Sequence, residues 1–300
     1  MTSSPSTETL AVEAVEKDPR RWLALAVIAS SQLMVILDAS IVNIALPSAQ
    51  RDLGISDADR QWVVTAYTLA FGGLLLLGGR IADYAGRKRT LLIGLGGFAL
   101  ASALGGFAGN AEMLFAARAL QGAFGALLAP AALALITVTF TEPRERAKAF
   151  SVVGGIAGGG AAIGLVLGGV LTEYASWRWC LGVNVPIAII VILAAIPIVR
   201  ESKAQGSTKY DIPGAVLSTL GLVSLVYGFT EAAKPDVGWQ AASTIAFLAA
   251  AVVLLVAFVL WERRTSIPLL PLRIALDRNR GGSYLVFFLS APGCSRCSCS

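Results

Sequence analysis

Two charged side chains interrupt apolar stretches that are long enough to cross a bilayer. Asp38 lies within residues 37–47, and Arg118 lies within residues 114–126. A charge near the centre of a membrane costs roughly 2.5–3.5 kcal/mol on insertion scales, so it usually faces a bundle interior or an aqueous cavity. We therefore expect Asp38 and Arg118 to carry function, to form a buried structural pair, or to reach an interface by snorkelling.

The chemistry open to these two residues concerns protons and cations. A carboxylate in low-dielectric surroundings is easier to protonate than one in water, so Asp38 can carry a proton or pair with a cationic substrate. The chain has no histidine, so a protonation switch here needs a carboxylate. Arginine stays charged, so Arg118 can hold a nearby carboxylate ionised or repel a proton. Asn43 and Gln121 add polar groups to the same two segments.

The loop at residues 79–89 is more charged than a simple connection between two apolar segments requires. It combines two glycines, one carboxylate and four cations: Gly79, Gly86, Asp83, Arg80, Arg87, Lys88 and Arg89. Such a combination suits a loop that locks two helices together in one state of a moving protein. The alternative is that these cations only fix the membrane topology.

A glycine stripe runs through residues 154–169. Gly160, Gly164 and Gly168 recur at intervals of four, with Gly169 next to them. This spacing places small residues on one helix face, where a second helix can approach closely or slide. Ordinary tight packing and a moving interface both fit the stripe. A phosphate-binding loop does not, because no Gly-Lys-Ser or Gly-Lys-Thr follows.

Membrane helices dominate the composition. Hydrophobic residues make up 56% of the chain and charged residues 14%, against roughly 25% charged residues in a soluble domain. A span needs about 20 apolar residues. Strict alternation of apolar and polar residues is absent, which argues against a barrel and for an all-α membrane protein. Eight segments qualify as spans: residues 22–46, 61–82, 90–109, 112–138, 149–171, 180–199, 212–231 and 241–261.

Lysine and arginine concentrate on alternate loops. The N-terminal tail and the loops after the second, fourth, sixth and eighth segments carry 18 of the 24 cations, and the intervening loops carry 4. Because cation-rich loops stay on the cytoplasmic side, we expect a multi-pass protein of the bacterial inner membrane with its N-terminus in the cytoplasm. This bias accounts for the net charge of +5, so no nucleic-acid partner is expected.

Together these segments resemble the major facilitator superfamily, and more closely its fourteen-span drug:proton antiporter branch. The charged loop matches the superfamily signature at Gly79, Asp83, Gly86, Arg87 and Lys88. Residues 37–47 resemble the span-one motif of that branch. The resemblance covers about residues 22–280.

Three further segments carry the same resemblance. Arg118, Gln121 and Gly122 match the span-four motif, whose arginine is implicated in proton coupling. Residues 160–169 resemble the span-five antiporter motif, although Leu165 stands where the family usually has proline. The start of span six is similar to another feature of the branch at Trp177, Arg178, Trp179, Asn184, Val185 and Pro186.

The resemblance implies alternating access, in which two six-helix bundles rock around a central cavity. Asp83 would contact a helix end in the other bundle, and Arg87 and Lys88 would serve the charge network of the outward-facing state. The chain would divide into a cytoplasmic tail, a facilitator-type N-terminal six-helix bundle, a linker, two further transmembrane helices, a basic cytoplasmic loop and an incomplete span with an aberrant tail: 1–21, 22–199, 200–211, 212–261, 262–280 and 281–300.

The function that the resemblance implies is proton-coupled efflux of small hydrophobic or cationic drugs. The proton motive force would drive it without a cofactor, and Asp38, Asn43, Arg118 and Gln121 are the candidates for proton or substrate contact. The alternatives are a facilitator that carries a specific metabolite and a carrier remnant that transports nothing. We expect no enzyme, because no nucleophile–base pair or metal cluster lies within the spans.

The C-terminal residues depart from the family pattern. Fourteen spans with loops need about 450–550 residues, and this sequence has 300. A ninth apolar run at residues 281–291 gives way to a tail with Cys294, Cys297 and Cys299. The C-x-x-C spacing suits zinc, but it lacks a histidine or a second such pair, so we expect no metal site. The pattern is interpreted as a carrier truncated after about eight spans.

Overall fold

The computed structural model describes residues 19–57, 59–203, 211–232 and 238–265. Eight segments of these residues are long and apolar enough to cross a membrane, since the short α6 and α7 together form one, Trp177–Ile198. The predicted all-α class and eight spans are therefore confirmed. Nine helices occur in the described ranges: α1 (Arg21–Leu53), α2 (Trp62–Ala85), α3 (Arg87–Gly106), α4 (Ala111–Thr139), α5 (Pro143–Tyr174), α6 (Trp177–Gly182), α7 (Asn184–Ile198), α8 (Ile212–Ala232) and α9 (Ala242–Arg264).

Several predictions concern residues outside the described ranges. They are most of the N-terminal tail, the middle of the linker after the sixth span, the basic loop after the eighth span, the ninth apolar run and the cysteine-rich tail: 1–18, 204–210, 266–280, 281–291 and 292–300.

Local sequence sets several helix ends. The side chain of Asn110 caps α4 by accepting a hydrogen bond from the Met113 backbone N–H at 2.8 Å, and Ser176 caps α6 in the same way. Pro143 begins α5, where a missing N–H costs nothing. Gly54 ends α1 with a φ of +63°, a left-handed conformation that favours glycine.

The first six spans form one bundle around two apolar clusters. One cluster contains Met34 and Phe98, and the other contains Ile41 and Leu181. Within the bundle α1 packs on α5 and α7, while α4 packs on α2 and α3. Asp38 lies on the stretch of α1 that passes from the first cluster to the second. The core is therefore apolar on both sides of this carboxylate.

Glycines let α2 and α4 approach backbone to backbone. A Cβ atom at Gly122 would overlap the carbonyl oxygen of Tyr67, and one at Gly78 would overlap that of Ala126. The neighbouring Gly79 has only an ordinary contact, with Pro130 at 3.6 Å from the position of a Cβ. This close contact fixes the face of α4 that carries Arg118.

The glycine stripe of α5 packs against α1. A Cβ at Gly160 would lie 2.8 Å from Leu33 Cδ1, one at Gly164 would lie 2.7 Å from Ser40 Cβ, and Gly168 faces the Ile41 backbone. Gly169 has no atom within 4 Å of a Cβ position. The first three glycines therefore bring α5 into tight contact with α1, the helix that carries Asp38, and Gly169 lies outside this contact.

The seventh and eighth spans form a pair that packs on the bundle through α2. The hydroxyl of Thr219 in α8 donates to the Gly73 carbonyl oxygen at 2.8 Å. Tyr227 of α8 lies between Trp62 and Phe247, with ring centroids 5.5 Å and 4.4 Å away. The fold is thus a six-span bundle with two further helices attached to its α2 side.

Candidate functional site

The two charges that interrupt the spans meet inside the bundle. Nη1 of Arg118 donates to Oδ2 of Asp38 at 2.7 Å. Their side chains are 2% and 0% exposed. Removing two charges from water costs several kcal/mol each, and their attraction offsets this only when further hydrogen bonds satisfy both groups.

The guanidinium of Arg118 uses more than one edge. Nε donates to the Val63 carbonyl oxygen at 3.1 Å, and Nη1 also donates to Oε1 of Gln121 at 2.7 Å. The Tyr67 ring lies under the guanidinium, with its centroid 4.4 Å from Cζ, a distance suited to a cation–π interaction. A planar, multiply bonded and stacked cation is a role that lysine cannot fill.

The second oxygen of the carboxylate accepts two amide hydrogen bonds. Nε2 of Gln121 donates to Asp38 Oδ1 at 2.9 Å, and Nδ2 of Asn184 donates to the same atom at 2.7 Å. Both amide nitrogens also lie within hydrogen-bond distance of Ser102 Oγ, at 2.7 Å and 3.3 Å. Five helices, α1, α2, α3, α4 and α7, therefore contribute to one buried polar centre.

Sequence reasoning named part of this centre and missed the rest. Three of the four predicted residues, Asp38, Arg118 and Gln121, come together. Asn43 does not join them: its side chain is exposed, and its Nδ2 donates to the Ala39 carbonyl oxygen in its own helix at 2.8 Å. Tyr67 and Ser102 were missed, and Asn184 was noted as part of the span-six motif but not assigned to this centre. An amide within an apolar span was a usable signal for Asn184, whereas serine and tyrosine are common in helices.

The charged segment of residues 79–89, predicted as a loop, is helical except at Gly86: it comprises the end of α2 and the start of α3. The following contacts lie within its own bundle. Arg87 Nη2 donates to Asp83 Oδ1 at 3.0 Å. Lys88 Nζ donates to the Ile196 carbonyl oxygen at 2.6 Å, near the end of α7. Gly86 has a φ of +110°, which an L side chain rarely adopts. This segment therefore connects the α2–α3 junction to the end of the sixth span.

Glu201, which the sequence did not suggest, completes this junction. Its Oε1 accepts from the Lys88 backbone N–H and its Oε2 from the Arg89 backbone N–H, both at 3.1 Å. These are free N–H groups at the start of α3, where a carboxylate is favoured by the helix dipole. A Cβ at Gly86 would lie 2.6 Å from Glu201 Oε1, so a side chain there would displace this carboxylate.

The opposite end of the bundle has its own polar cluster. The Asp52 carboxylate accepts from Trp177 Nε1 at 3.0 Å and from Arg178 Nη1. Arg178 Nη2 also donates to the Ala108 carbonyl oxygen at 3.1 Å. A small apolar cavity lies between this cluster and the buried centre, and both Trp177 and Arg118 line it.

Comparison with known proteins identifies the family. The family model described as Major Facilitator Superfamily matches residues 28–294. The chain belongs to the Major Facilitator Superfamily. This superfamily member is 55% identical over 276 residues to the puromycin resistance protein pur8 of Streptomyces alboniger, in an alignment that covers 92% of this chain and 54% of that protein. It is 43% identical over 254 residues to the cephamycin export protein CmcT of Amycolatopsis lactamdurans, covering 84% and 52%.

Solved structures support the facilitator fold. The tetrameric PepTSo2 matches with a TM-score of 0.57 at 17% identity, over 82% of this chain and 56% of that one. At this identity the likeness concerns the fold alone. The chain spans about half the length of the curated relatives it matches. It is thus a multi-pass membrane protein of a transporter superfamily, as the motifs indicated.

Proposed function

We propose that this chain serves proton-coupled export of small hydrophobic or cationic drugs by alternating access. Asp38 is the proton-carrying residue, and Arg118 is its counter-charge. The proton motive force drives export, with protons and drug as the two transported species. The observation that carries the proposal is the buried Asp38–Arg118 ion pair, which joins α1 and α4 at 2.7 Å between two apolar clusters.

This pair suits coupling because its strength depends on one proton. An ionised Asp38 neutralises Arg118 and holds the two helices together. When the carboxylate gains a proton its charge disappears, and the guanidinium is left as an uncompensated buried charge, which costs about 3–5 kcal/mol. A change of that size is enough to favour a different arrangement of α1 and α4. The printed names of the puromycin and cephamycin relatives support drugs as the substrate class.

The orientation in the membrane is part of the proposal. Arg21 at the start of α1 pairs with Glu145 at the start of α5 at 2.9 Å, and Lys88 at the start of α3 reaches the end of α7. The ends that carry most cations therefore lie on one side. By the charge bias of membrane loops this side faces the cytoplasm of a bacterial inner membrane.

The charged segment of residues 79–89, at the junction of α2 and α3, acts as the conformational latch in this mechanism. Asp83 and Arg87 pair at the α2–α3 junction, and Lys88 and Glu201 connect that junction to the sixth span. These contacts support the latch by joining its residues in this bundle into one hydrogen-bonded cluster. Asp83 contacts a helix end in a second bundle when the carrier faces outward.

Drug accumulation in cells tests this function. The gene that encodes the chain is deleted and replaced by wild-type or Asp38→Asn copies, and uptake of a fluorescent hydrophobic cation is followed. We expect low accumulation with the wild-type copy, and high accumulation both with the variant and after addition of a protonophore. An asparagine keeps the shape of the carboxylate but cannot exchange a proton.

A matched control separates this effect from a general loss of charge. Asp57→Asn makes the same change at an exposed carboxylate that accepts from Gln50 at 2.7 Å, and export should persist. Membrane levels of each variant are compared by immunoblot. The proposed function would be contradicted if the deletion strain accumulated no more drug than the strain with the wild-type copy, or if Asp38→Asn exported normally.

A further inference from the structure

One polar atom of the buried centre has no partner. Asn184 Oδ1 is buried and accepts no hydrogen bond from any residue that the structure describes. The other half of the same amide is fully used, since Nδ2 donates to Asp38 Oδ1 and lies 3.3 Å from Ser102 Oγ. An unsatisfied buried acceptor costs about 1–3 kcal/mol. Its place beside the only carboxylate of the described centre calls for a physical reason.

The environment of Asp38 is arranged for the ionised carboxylate. Oδ2 faces an Arg118 N–H, and Oδ1 faces N–H groups of Gln121 and Asn184. A proton on either oxygen would point at a donor instead of an acceptor. A protonated Asp38 is therefore satisfied only when at least one of these three neighbours presents an acceptor; without one, the new O–H is left unsatisfied, which costs free energy but does not prevent protonation.

Asn184 can do this at the lowest cost. Arg118 has no acceptor atom. Gln121 has one, but its Oε1 already accepts from Arg118 at 2.7 Å, so turning that amide would break this bond and aim an NH₂ group at a cation. Turning the Asn184 amide brings the unpartnered Oδ1 to Asp38 and breaks no hydrogen bond other than those of its own Nδ2.

We propose that Asn184 is a positioning residue whose side-chain amide turns over when Asp38 is protonated. This proposal rests on the proposed proton-carrying role of Asp38. With the carboxylate ionised, Nδ2 donates to Oδ1 of Asp38. When a proton from the aqueous phase binds that oxygen, the charge of the carboxyl changes from −1 to 0 and the new O–H donates to Asn184 Oδ1.

Ser102 assists the exchange. Its Oγ accepts from Asn184 Nδ2 in the ionised state, and its hydroxyl hydrogen can rotate to donate to the turned Oδ1. The turn replaces an unpartnered oxygen by an unpartnered N–H, so each state leaves one group of the amide unsatisfied. Neither orientation is locked, which is the property that a reversible proton site requires.

Few other groups can compete for this role. The titratable neighbours of the centre are Arg118 from α4 and Tyr67 from α2, and the latter stacks on the guanidinium. From α6, Cys180 approaches Thr172 and the Gly168 carbonyl instead of Asp38. α5 presents its glycine stripe to α1, and α3 and α7 contribute the neutral Ser102 and Asn184.

Infrared difference spectroscopy tests the turn. The chain is reconstituted in lipid with ¹³C-labelled asparagine side chains, and spectra are recorded while the pH is lowered. We expect a protonated-carboxyl C=O band to appear and the labelled amide C=O band to shift to lower wavenumber at the same midpoint pH, because Oδ1 gains a hydrogen bond. Both changes should be absent in Asp38→Asn.

Variants assign the amide band. Asn184→Leu should lose the amide shift and keep the carboxyl band, whereas Asn110→Ser, which removes a remote asparagine but keeps the α4 cap, should keep both. If Asn184→Leu does not fold, the spectra of the wild type and Asp38→Asn still show whether an amide shift accompanies protonation of Asp38. A carboxyl band without an amide shift, or an amide shift that persists in Asp38→Asn, would overturn the turn alone. No carboxyl band at any pH would overturn the proton-carrying role as well.

Discussion

Single residues in this protein carry tasks that their chemical relatives cannot take over. The buried centre holds one negative and one positive charge, and two amides, a hydroxyl and a backbone carbonyl supply further hydrogen bonds. Such a centre stabilises the fold less than an apolar core of the same volume would. The proton-carrying role that we propose for Asp38 would give such a centre a reason to be inside a membrane protein.

Arg118→Lys should impair export although the charge is retained. The lysine ammonium cannot bridge Asp38, Gln121 and the Val63 carbonyl together or stack on Tyr67. Loss of one charge-assisted hydrogen bond costs about 1.5–3 kcal/mol, so export rates should fall roughly tenfold or more. Drug efflux from preloaded cells measures this. The same change at the exposed Arg51 is the matched control, and equal efflux by both variants would remove the guanidinium from the mechanism.

At the scale of helices, α1 is the element on which the centre depends. It carries Asp38 and packs its neighbouring turns against the glycine stripe of α5. Gly164 lies opposite Ser40, half a turn from the carboxylate, so the distance between α1 and α5 is set close to Asp38. The tight packing of α5 on α1 is a feature of the structure. That the two helices slide past each other during transport stays a prediction.

Gly164→Ala should weaken the α1–α5 contact. The added methyl would lie 2.7 Å from Ser40 Cβ and 3.3 Å from the Leu37 carbonyl oxygen, so the helices must separate. Such overpacking costs about 1–3 kcal/mol, and thermal unfolding of the purified protein in detergent should occur at lower temperature. Gly159→Ala adds the same methyl where no atom lies within 4 Å, and because alanine favours a helix more than glycine does, it should not lower the unfolding temperature. Equal melting of both variants would argue against a tight contact.

In the described part of the chain, α2 links the buried Asp38–Arg118 centre to a charged junction at one end of the bundle. Asp83, Arg87, Lys88 and Glu201 connect α2, α3 and the end of α7, while the α8–α9 pair rests on α2. Movement of α2 would therefore change the contacts at both the buried centre and the charged junction. This arrangement fits a bundle that moves as a unit during alternating access.

Asp83→Asn should slow transport without weakening drug binding. The change removes the partner of Arg87 and the charge proposed to meet a helix end of a second bundle, but it leaves the buried centre intact. Concentration-dependent efflux should show a lower maximal rate at an unchanged half-saturating concentration. Asp59→Asn, at an exposed loop carboxylate, serves as control. An affinity loss as large as the rate loss would speak against a latch.

Composition and periodicity predicted the fold well because each span must satisfy its own backbone in lipid. The pairing of Asp38 with Arg118 was one of the interpretations that the sequence left open, since two charges in an apolar interior need each other. The amide of Asn184, the hydroxyl of Ser102 and the ring of Tyr67 could not be placed, because their role depends on which faces of α2, α3 and α7 meet.

The charged segment of residues 79–89 was also only partly predictable from sequence. Its glycines and charges could be recognised as the superfamily signature, and Gly86 does have a positive φ. Glu201 was not foreseen, because a single glutamate after an apolar span looks like any solvated charge. Only the approach of the α7 end to the start of α3 makes it the carboxylate that accepts from Lys88 and Arg89.

Drug-driven proton flux through Asp38 is the most direct test of the proposed mechanism. The product of the gene is reconstituted in vesicles with an imposed pH gradient and an enclosed fluorescent pH probe, and a hydrophobic cation is added. The wild-type protein should dissipate the gradient in a drug-dependent manner, and Asp38→Asn should not, although it binds the drug. Drug-dependent proton flux at the wild-type rate in Asp38→Asn would contradict the account.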